Sequence, residues 1–405
     1  MAVAAPETDA VRASDESRPL RILYSFPDTL GSPGIGVAAR HHAEQLALLG
    51  HEVHVYCTAV KGTPPVVHRL VTTLTLAGRR IRHRALGRQR AYRYHDRRVS
   101  WALRRAAGQI DVVHLWPRAT LASAAAAKRM GTRSIREAPN THTAFAYARV
   151  AEENAKLGLG AVAGHSHEGA ENGLRLEERE YEAVDMVAVL SPYVWQTFLD
   201  RGFDEERLGM HAYGFDPGRF PEPEDVTSRE GEGLRAVFVG RCEPRKGLHY
   251  ALEAWIESGA AERGTFTICG NFYPGYQEAL EPLLRHPSVT VQGWVDDPGK
   301  LMRDSDIFLF PSIEEGSAFV TYEAQASGCA LVVSDATGAR CEHMGQGLVH
   351  EAGDLPTLVE HLRLVDGDRE LLTRLRRNAV ASRPNLTWEY SAREIAGLYR
   401  EVSGR

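Results

Sequence analysis

The chain lacks any run of about 18 apolar residues, so nothing in it reads as a membrane-spanning helix. Its five cysteines, Cys57, Cys242, Cys269, Cys329 and Cys341, are odd in number, scattered and mostly set in or beside apolar stretches. That excludes a disulfide framework and a CxxC metal site and points to a reducing compartment, the cytoplasm. A surplus of either charge is missing too. With 48 basic against 53 acidic residues the net charge is -5, which gives no global attraction to nucleic acid. There is no short-period repeat. The first eighteen residues, MAVAAPETDAVRASDESR, have no apolar core and several acids, so residues 1–18 are expected to be a disordered tail rather than a signal peptide.

What remains is the composition of a soluble globular protein, 43% hydrophobic and 25% charged over 405 residues. That length exceeds a single core and favours two domains. Short, β-branched apolar runs at 20–26, 52–57, 111–116, 133–138 and 185–191 read as strands buried on both faces, separated by segments of helical periodicity. A stretch rich in Pro, Gly and charge, 214–233, reads as a linker. Five more such strands then follow at 235–240, 265–270, 288–294, 306–312 and 330–336. The expected class is α/β: two doubly wound, Rossmann-like domains in series, 19–213 and 234–386. The closing segment 387–402 carries a capping Thr387 and apolar Trp388, Ala392, Ile395, Tyr399 and Val402 at helical spacing, a stripe that needs a partner surface.

Ligands of such sheets bind beyond the carboxyl ends of the strands. There the stretch EEGSAFVTYEA (314–324) follows the strand FLFPS as a turn and a helix expected from Ser317 to Gly328. Amides of Gly316, Ser317 and Ala318 at the positive end of that helix would suit a phosphate. Glu315 precedes them, and Glu323 lies about 9 Å further along at 1.5 Å per residue. Two acids flanking an anion site suit a nucleotide sugar, whose sugar and ribose hydroxyls lie to either side of its diphosphate. The plainer alternative is one surface and one capping glutamate. Upstream, Arg241 and Lys246 follow another strand at a turn between Gly240 and Gly247, where both would stabilise a diphosphate leaving group; solvated surface charge is the competing reading.

Strand end, Arg-x4-Lys-Gly, then Glu-x7-Glu on a later strand-turn-helix resembles the family 4 glycosyltransferases, retaining enzymes of the GT-B fold, over about residues 20–402. The resemblance implies two Rossmann-like domains facing a cleft. The first, acceptor-binding domain would be 19–213 together with the C-terminal helix 387–402 crossing back onto it, and the nucleotide-sugar domain would be 234–386. It implies transfer of a hexose-type sugar from a nucleotide diphosphate, UDP favoured over GDP, to an acceptor hydroxyl, with Glu315 a donor-sugar binder rather than a nucleophile and no metal or other cofactor. The loop GSPGIGVAARH (31–41) would close over the diphosphate, with Gly34 and Gly36 admitting the backbone. APNTHTAFAY (138–147) matches the segment that puts a histidine, His142, beside the reacting sugar. His114 and Trp116 end a strand on the cleft side and are candidates for the acceptor pocket, or for half-buried packing.

Two features hint at metal. Asp296 and Asp297 precede Pro298, which reads better as a helix N-cap and first-turn pair, and HSHEGAE (165–171) reads better as a polar loop. The segment Arg69 to Arg105 holds twelve arginines and one acid, Asp96, interleaved with Leu70, Leu74, Ile81, Leu86, Val99 and Leu103. It is either a solvated helix face or a peripheral contact with an anionic membrane or a phosphorylated acceptor. Among rival functions, GIGVAA (34–39) fits the G-x-G-x-x-A of nicotinamide-dependent oxidoreductases, but it lies seven residues beyond the first strand, and the second strand ends in VYCTA without an acid for the ribose. A non-catalytic nucleotide-sugar binding protein and a sugar phosphorylase on the same fold complete the set of rivals.

Overall fold

The computed structural model describes residues 18–76, 79–80, 87–160, 171–227 and 231–404. The tail expected over 1–18 and the HSHEGAE run each lie, but for their last residue, outside the described residues, as do Ile81 and Leu86 of the arginine-rich segment.

Strands β1 (Arg21–Leu30), β2 (Glu52–Val60), β3 (Arg69–Thr72), β6 (Val112–Leu115), β7 (Arg133–Glu137), β8 (Met186–Val189) and β9 (Leu208–Met210) form one parallel sheet in the order β3-β2-β1-β6-β7-β8-β9. A two-stranded ribbon, β4 (Thr75–Leu76) and β5 (Arg79–Arg80), lies apart from it. The second sheet, again parallel, runs β12-β11-β10-β13-β14-β15, built from β10 (Arg235–Val239), β11 (Thr265–Cys269), β12 (Val289–Gly293), β13 (Ile307–Phe310), β14 (Ala330–Ser334) and β15 (Gly347–His350). Both orders reverse direction beside their first strand, the switch point at which doubly wound sheets open a crevice. All ten expected strands are present. β12 departs from the expected character: it is an edge strand and mostly exposed.

Side chains alternate between the two faces of each sheet, and both faces are covered. Ile22 and Tyr24 join the core under the helices Ile35–Leu48 and Trp388–Ser403, while the intervening Leu23 packs with Val99 and Leu103 on the other side. The last helix begins as expected, Thr387 accepting from the Tyr390 amide at 3.1 Å, and its stripe of Trp388, Ala392, Ile395 and Tyr399 is buried against the first domain. Ser391 Oγ lies 3.1 Å from His42 Nε2 and donates to Ala212 O at 2.6 Å. The outgoing chain at Phe215 pairs with the returning chain at Thr387, so the two interdomain crossings run side by side. Residues just past β1, β6 and β7 thereby face residues just past β10 and β13 across one cavity of about 740 Å³. This is the GT-B arrangement.

β1 extends to Leu30, so Gly34 follows the strand more closely than expected. The case against a nicotinamide site therefore rests on β2, which ends in Thr58, Ala59 and Val60 with no acid.

Candidate active site

The second-domain wall of the cavity is an ion cluster carried by two turns. After β10, a short 3-10 turn, Pro244–Lys246, brings Arg245 and Lys246 against the turn after β13. Lys246 Nζ contacts Glu315 Oε1, and Arg245 NH1 lies 3.1 Å from Glu315 Oε2. The same Arg245 group donates to Glu314 Oε2 at 3.1 Å and to Glu314 O at 2.8 Å, while its Nε and NH2 hold Glu243 Oε1 at 3.1 and 3.0 Å. Arg241 stays outside this knot, its side chain 61% exposed and 3.9 Å from Glu243. Burial and the Arg245 guanidinium push the Lys246 ammonium down, while Glu243 and Glu314 oppose the shift. Such a site holds its cations by pairing them with carboxylates, so an anion entering the cavity would have to compete with Glu315 for them.

The helix after β13 starts at Phe319, two residues later than expected. Ala318 is its N-cap residue, and the Ala318 amide donates to Thr337 O at 3.0 Å, so it is not available to a phosphate. Among the described residues, the amides of Gly316, Ser317, Phe319 and Val320 donate to no protein group. Ser317, Ala318, Phe319 and Val320 line the cavity, and Gly316 instead meets the first domain: a Cβ there would stand 2.0 Å from Pro139 O. Glu323 is not among the lining residues. It lies one turn beyond Phe319 and Val320 on their face of the helix, half-buried, and burial raises its carboxyl to about 7 against a smaller pull from Arg219.

The first-domain wall differs more from expectation. His142 does not line the cavity: it caps the helix Thr143–Lys156, its Nδ1 accepting from the Ala144 amide at 3.3 Å, and its ring packs between Tyr181 and Phe198. Burial lowers its pKa to about 4. Its neighbours Thr141 and Thr143 line the cavity in its place. His114 is likewise removed from any acceptor pocket. It is fully buried and stacked on Tyr24, with its Nδ1 2.9 Å from Tyr399 Oη on the last helix and its Nε2 3.5 Å from Glu137. Trp116 borders the cavity but is itself fully buried in the core, its indole donating to Tyr24 Oη at 2.8 Å, so it too offers an acceptor no exposed surface. Gly34 also lines the cavity at φ 80°, a left-handed conformation that suits glycine. Gly36 does not; a Cβ there would strike Ser32 Oγ at 2.4 Å, so it serves loop packing. Asp297 caps by accepting the Gly299 amide at 3.0 Å, with Pro298 rather than Asp297 as the formal N-cap residue of Gly299–Arg303.

Arg245, Glu314, Glu243 and Thr141 were not singled out from sequence, nor was Arg118. Arg118 has φ 76°, a strained state for a residue with a side chain, and its amide is held by Glu180 Oε2 at 2.8 Å. It lines the cavity with Arg88, Tyr92, Glu177 and Asp28.

Residues 33–219 match the family model "Glycosyltransferase Family 4" and residues 233–365 match "Glycosyl transferases group 1". Over 146 residues the chain is 28% identical to the Escherichia coli UDP-Gal:alpha-D-GlcNAc-diphosphoundecaprenol alpha-1,3-galactosyltransferase, covering 33% of this chain and 37% of that protein. Over 287 residues it is 25% identical to the D-inositol 3-phosphate glycosyltransferase of Nocardia farcinica, covering 66% of this chain and 62% of that one. The matches thus span from about a third to under two thirds of these relatives' own lengths. The solved sucrose-phosphate synthase of Thermosynechococcus elongatus superposes with a TM-score of 0.67 at 17% identity, covering 95% of this chain and 99% of that one, a likeness of fold.

Proposed function

For a chain that belongs to glycosyltransferase family 4 and folds as a GT-B glycosyltransferase, we propose a retaining transfer of a hexose-type sugar from a UDP-sugar to an acceptor hydroxyl. One observation carries the reading: Arg245 and Lys246 meet Glu315 on a cavity wall that also holds Arg241 and the unspent amides of Ser317, Phe319 and Val320. The diphosphate binds Lys246, Arg241 and those amides, and Glu315, displaced from Lys246, accepts hydroxyls of the transferred sugar. Glu323, one turn further, accepts the ribose hydroxyls. The bond from the anomeric carbon to the phosphate oxygen breaks while the acceptor oxygen bonds to that carbon on the same face. The acceptor proton passes to the departing phosphate, whose growing charge Lys246 and Arg241 stabilise. No metal or other cofactor is assigned a role. Arg118 and Glu177 of the facing wall bind the acceptor. UDP is favoured because the Escherichia coli relative is named for a UDP-sugar.

A thermal-shift panel of nucleotides tests the donor, since a ligand at a hundred times its Kd adds about 2.7 kcal/mol of stability. UDP is expected to stabilise the chain, and Lys246→Met to lower turnover by about a hundredfold, the scale for losing one donor to a developing oxyanion. Stabilisation by reduced nicotinamide cofactor alone would refute the reading.

One surface favours an acceptor presented at an anionic bilayer. The helix Arg88–Arg105 exposes Arg90, Arg93, Tyr94, Arg97, Arg98, Trp101, Arg104 and Arg105 along its outer side, with Arg105 3.4 Å over the Trp101 ring. Asp96, its single acid, is buried and caps the helix Leu121–Met130 through the Ala122 and Ser123 amides. Val99 and Leu103 face the core, so the outer face is basic and aromatic rather than apolar. Its first turns, through Arg88 and Tyr92, reach the cavity wall. Sedimentation with anionic vesicles at low and moderate salt is the check; no binding in either removes this part.

A further inference from the structure

We propose that Glu314, held between Thr141 of the first domain and Arg245 of the second, is a positioning residue that makes the setting of Glu315 and Lys246 depend on the first domain. This rests on the donor-site reading above. Glu314 is fully buried, an expensive place for a carboxylate unless every lone pair is used. One oxygen, Oε1, accepts from Thr141 Oγ1 at 2.6 Å and from the Thr141 amide at 3.3 Å; the other accepts from Arg245 NH1 at 3.1 Å. The same NH1 lies 3.1 Å from Glu315, whose other oxygen meets Lys246. A continuous chain of charge-assisted contacts therefore runs from Thr141, itself on the cavity wall beside the acceptor-side residue Thr143, to both donor-binding groups.

Backbone contacts give the chain a stiff frame. Ile313 N donates to Arg245 O at 2.8 Å, locking the two second-domain turns together. Independent contacts keep the domains seated without Thr141: Ser191 Oγ donates to Gly316 O at 3.0 Å, and His249 Nε2 lies 2.8 Å from Glu153. Removal of the Thr141 hydroxyl therefore disturbs the setting of the ion cluster rather than the docking of the domains.

The test uses Thr141→Val and Thr141→Ser in the full chain. Without ligand, hydrogen exchange over 241–247 and 312–318 is expected to rise in Thr141→Val and to return to the original level in Thr141→Ser. With UDP-glucose as the probe, release of UDP is expected to slow about tenfold in Thr141→Val, the scale of one hydrogen bond to a charged group, while the Kd for UDP, still held by Arg241 and the free amides, rises by only about two- to threefold. Thr141→Ser should recover the rate. Unchanged exchange in Thr141→Val overturns the proposal, as does failure of serine to restore what valine loses, or a fall in UDP affinity as large as the fall in rate. Should UDP not bind the unmodified chain, the donor reading fails, and the exchange measurement still decides the coupling.

Discussion

If Glu323 accepts the ribose hydroxyls as proposed, its carboxyl, ionising near neutrality, makes nucleotide binding pH-dependent with a definite sign. Burial lifts Glu323 to about 7, whereas an unhindered glutamate ionises near 4.3. In the free protein it is therefore about one-tenth ionised at pH 6 and about nine-tenths at pH 8. Two ribose hydroxyls donate only to the ionised form's full set of lone pairs, so binding pulls its pKa down and releases a proton. If the bound value drops below about 5, linkage makes the Kd for UDP about tenfold tighter at pH 8 than at pH 6. The diphosphate titrates in the same range, but that contribution is common to wild type and Glu323→Gln, so the ratio of their affinities isolates the side chain. Calorimetry in two buffers of different ionisation enthalpy reads both the affinity and the proton released. Equal pH dependence in the two proteins, or proton uptake on binding, would refute the assignment of Glu323 to the ribose.

The same shift has a consequence for stability. A folded pKa above the unfolded one means the native state binds the extra proton, so the contribution is complete below about 4.5 and is lost as pH rises through about 7. Partial exposure screens the effect to about 1–3 kcal/mol. Glu323→Gln, permanently neutral, should therefore lose less melting temperature than wild type between pH 5 and pH 8, by a few degrees.

His142→Asn keeps a helix-capping side chain and loses ring contacts with Tyr181 and Phe198, so stability should fall by about 1–2 kcal/mol in denaturant melts. With a pKa near 4, His142 should contribute no ionisation to turnover between pH 5 and pH 8; a hundredfold loss of kcat at native stability would restore it to the chemistry. Gly316→Ala drives a methyl to 2.0 Å from Pro139 O and forces the two domains' loops apart. It should cost about 1–3 kcal/mol in thermal melts, with turnover falling more than UDP affinity; an unchanged melt would mean the loops yield freely.

The two sheets were legible because strands covered on both faces must be apolar at successive positions, as in Ile307–Phe310 and Val112–Leu115. The short edge strands Arg69–Thr72, Leu208–Met210 and Gly347–His350 carry no comparable signal, since three or four residues are too few to stand out as an apolar run, even where they are buried. Within the site, the errors follow from side-chain direction. Position along the chain brought His142 to the right strand end, yet Thr141 and Thr143 point into the cavity and the residue between them turns into the core, a one-residue offset that no motif encodes. His114 shares the alternation of Val112 and Trp116, all three facing the core beneath the last helix, so the strand's period of two removes both acceptor candidates together. Arg241 and Lys246 could be chosen because their spacing is local, whereas nothing in the sequence marks Arg245 beside Lys246. Its importance depends on Glu314 and on Thr141, far upstream in the chain, and that meeting exists only once both sheets have formed and the crossings at Phe215 and Thr387 have brought them face to face.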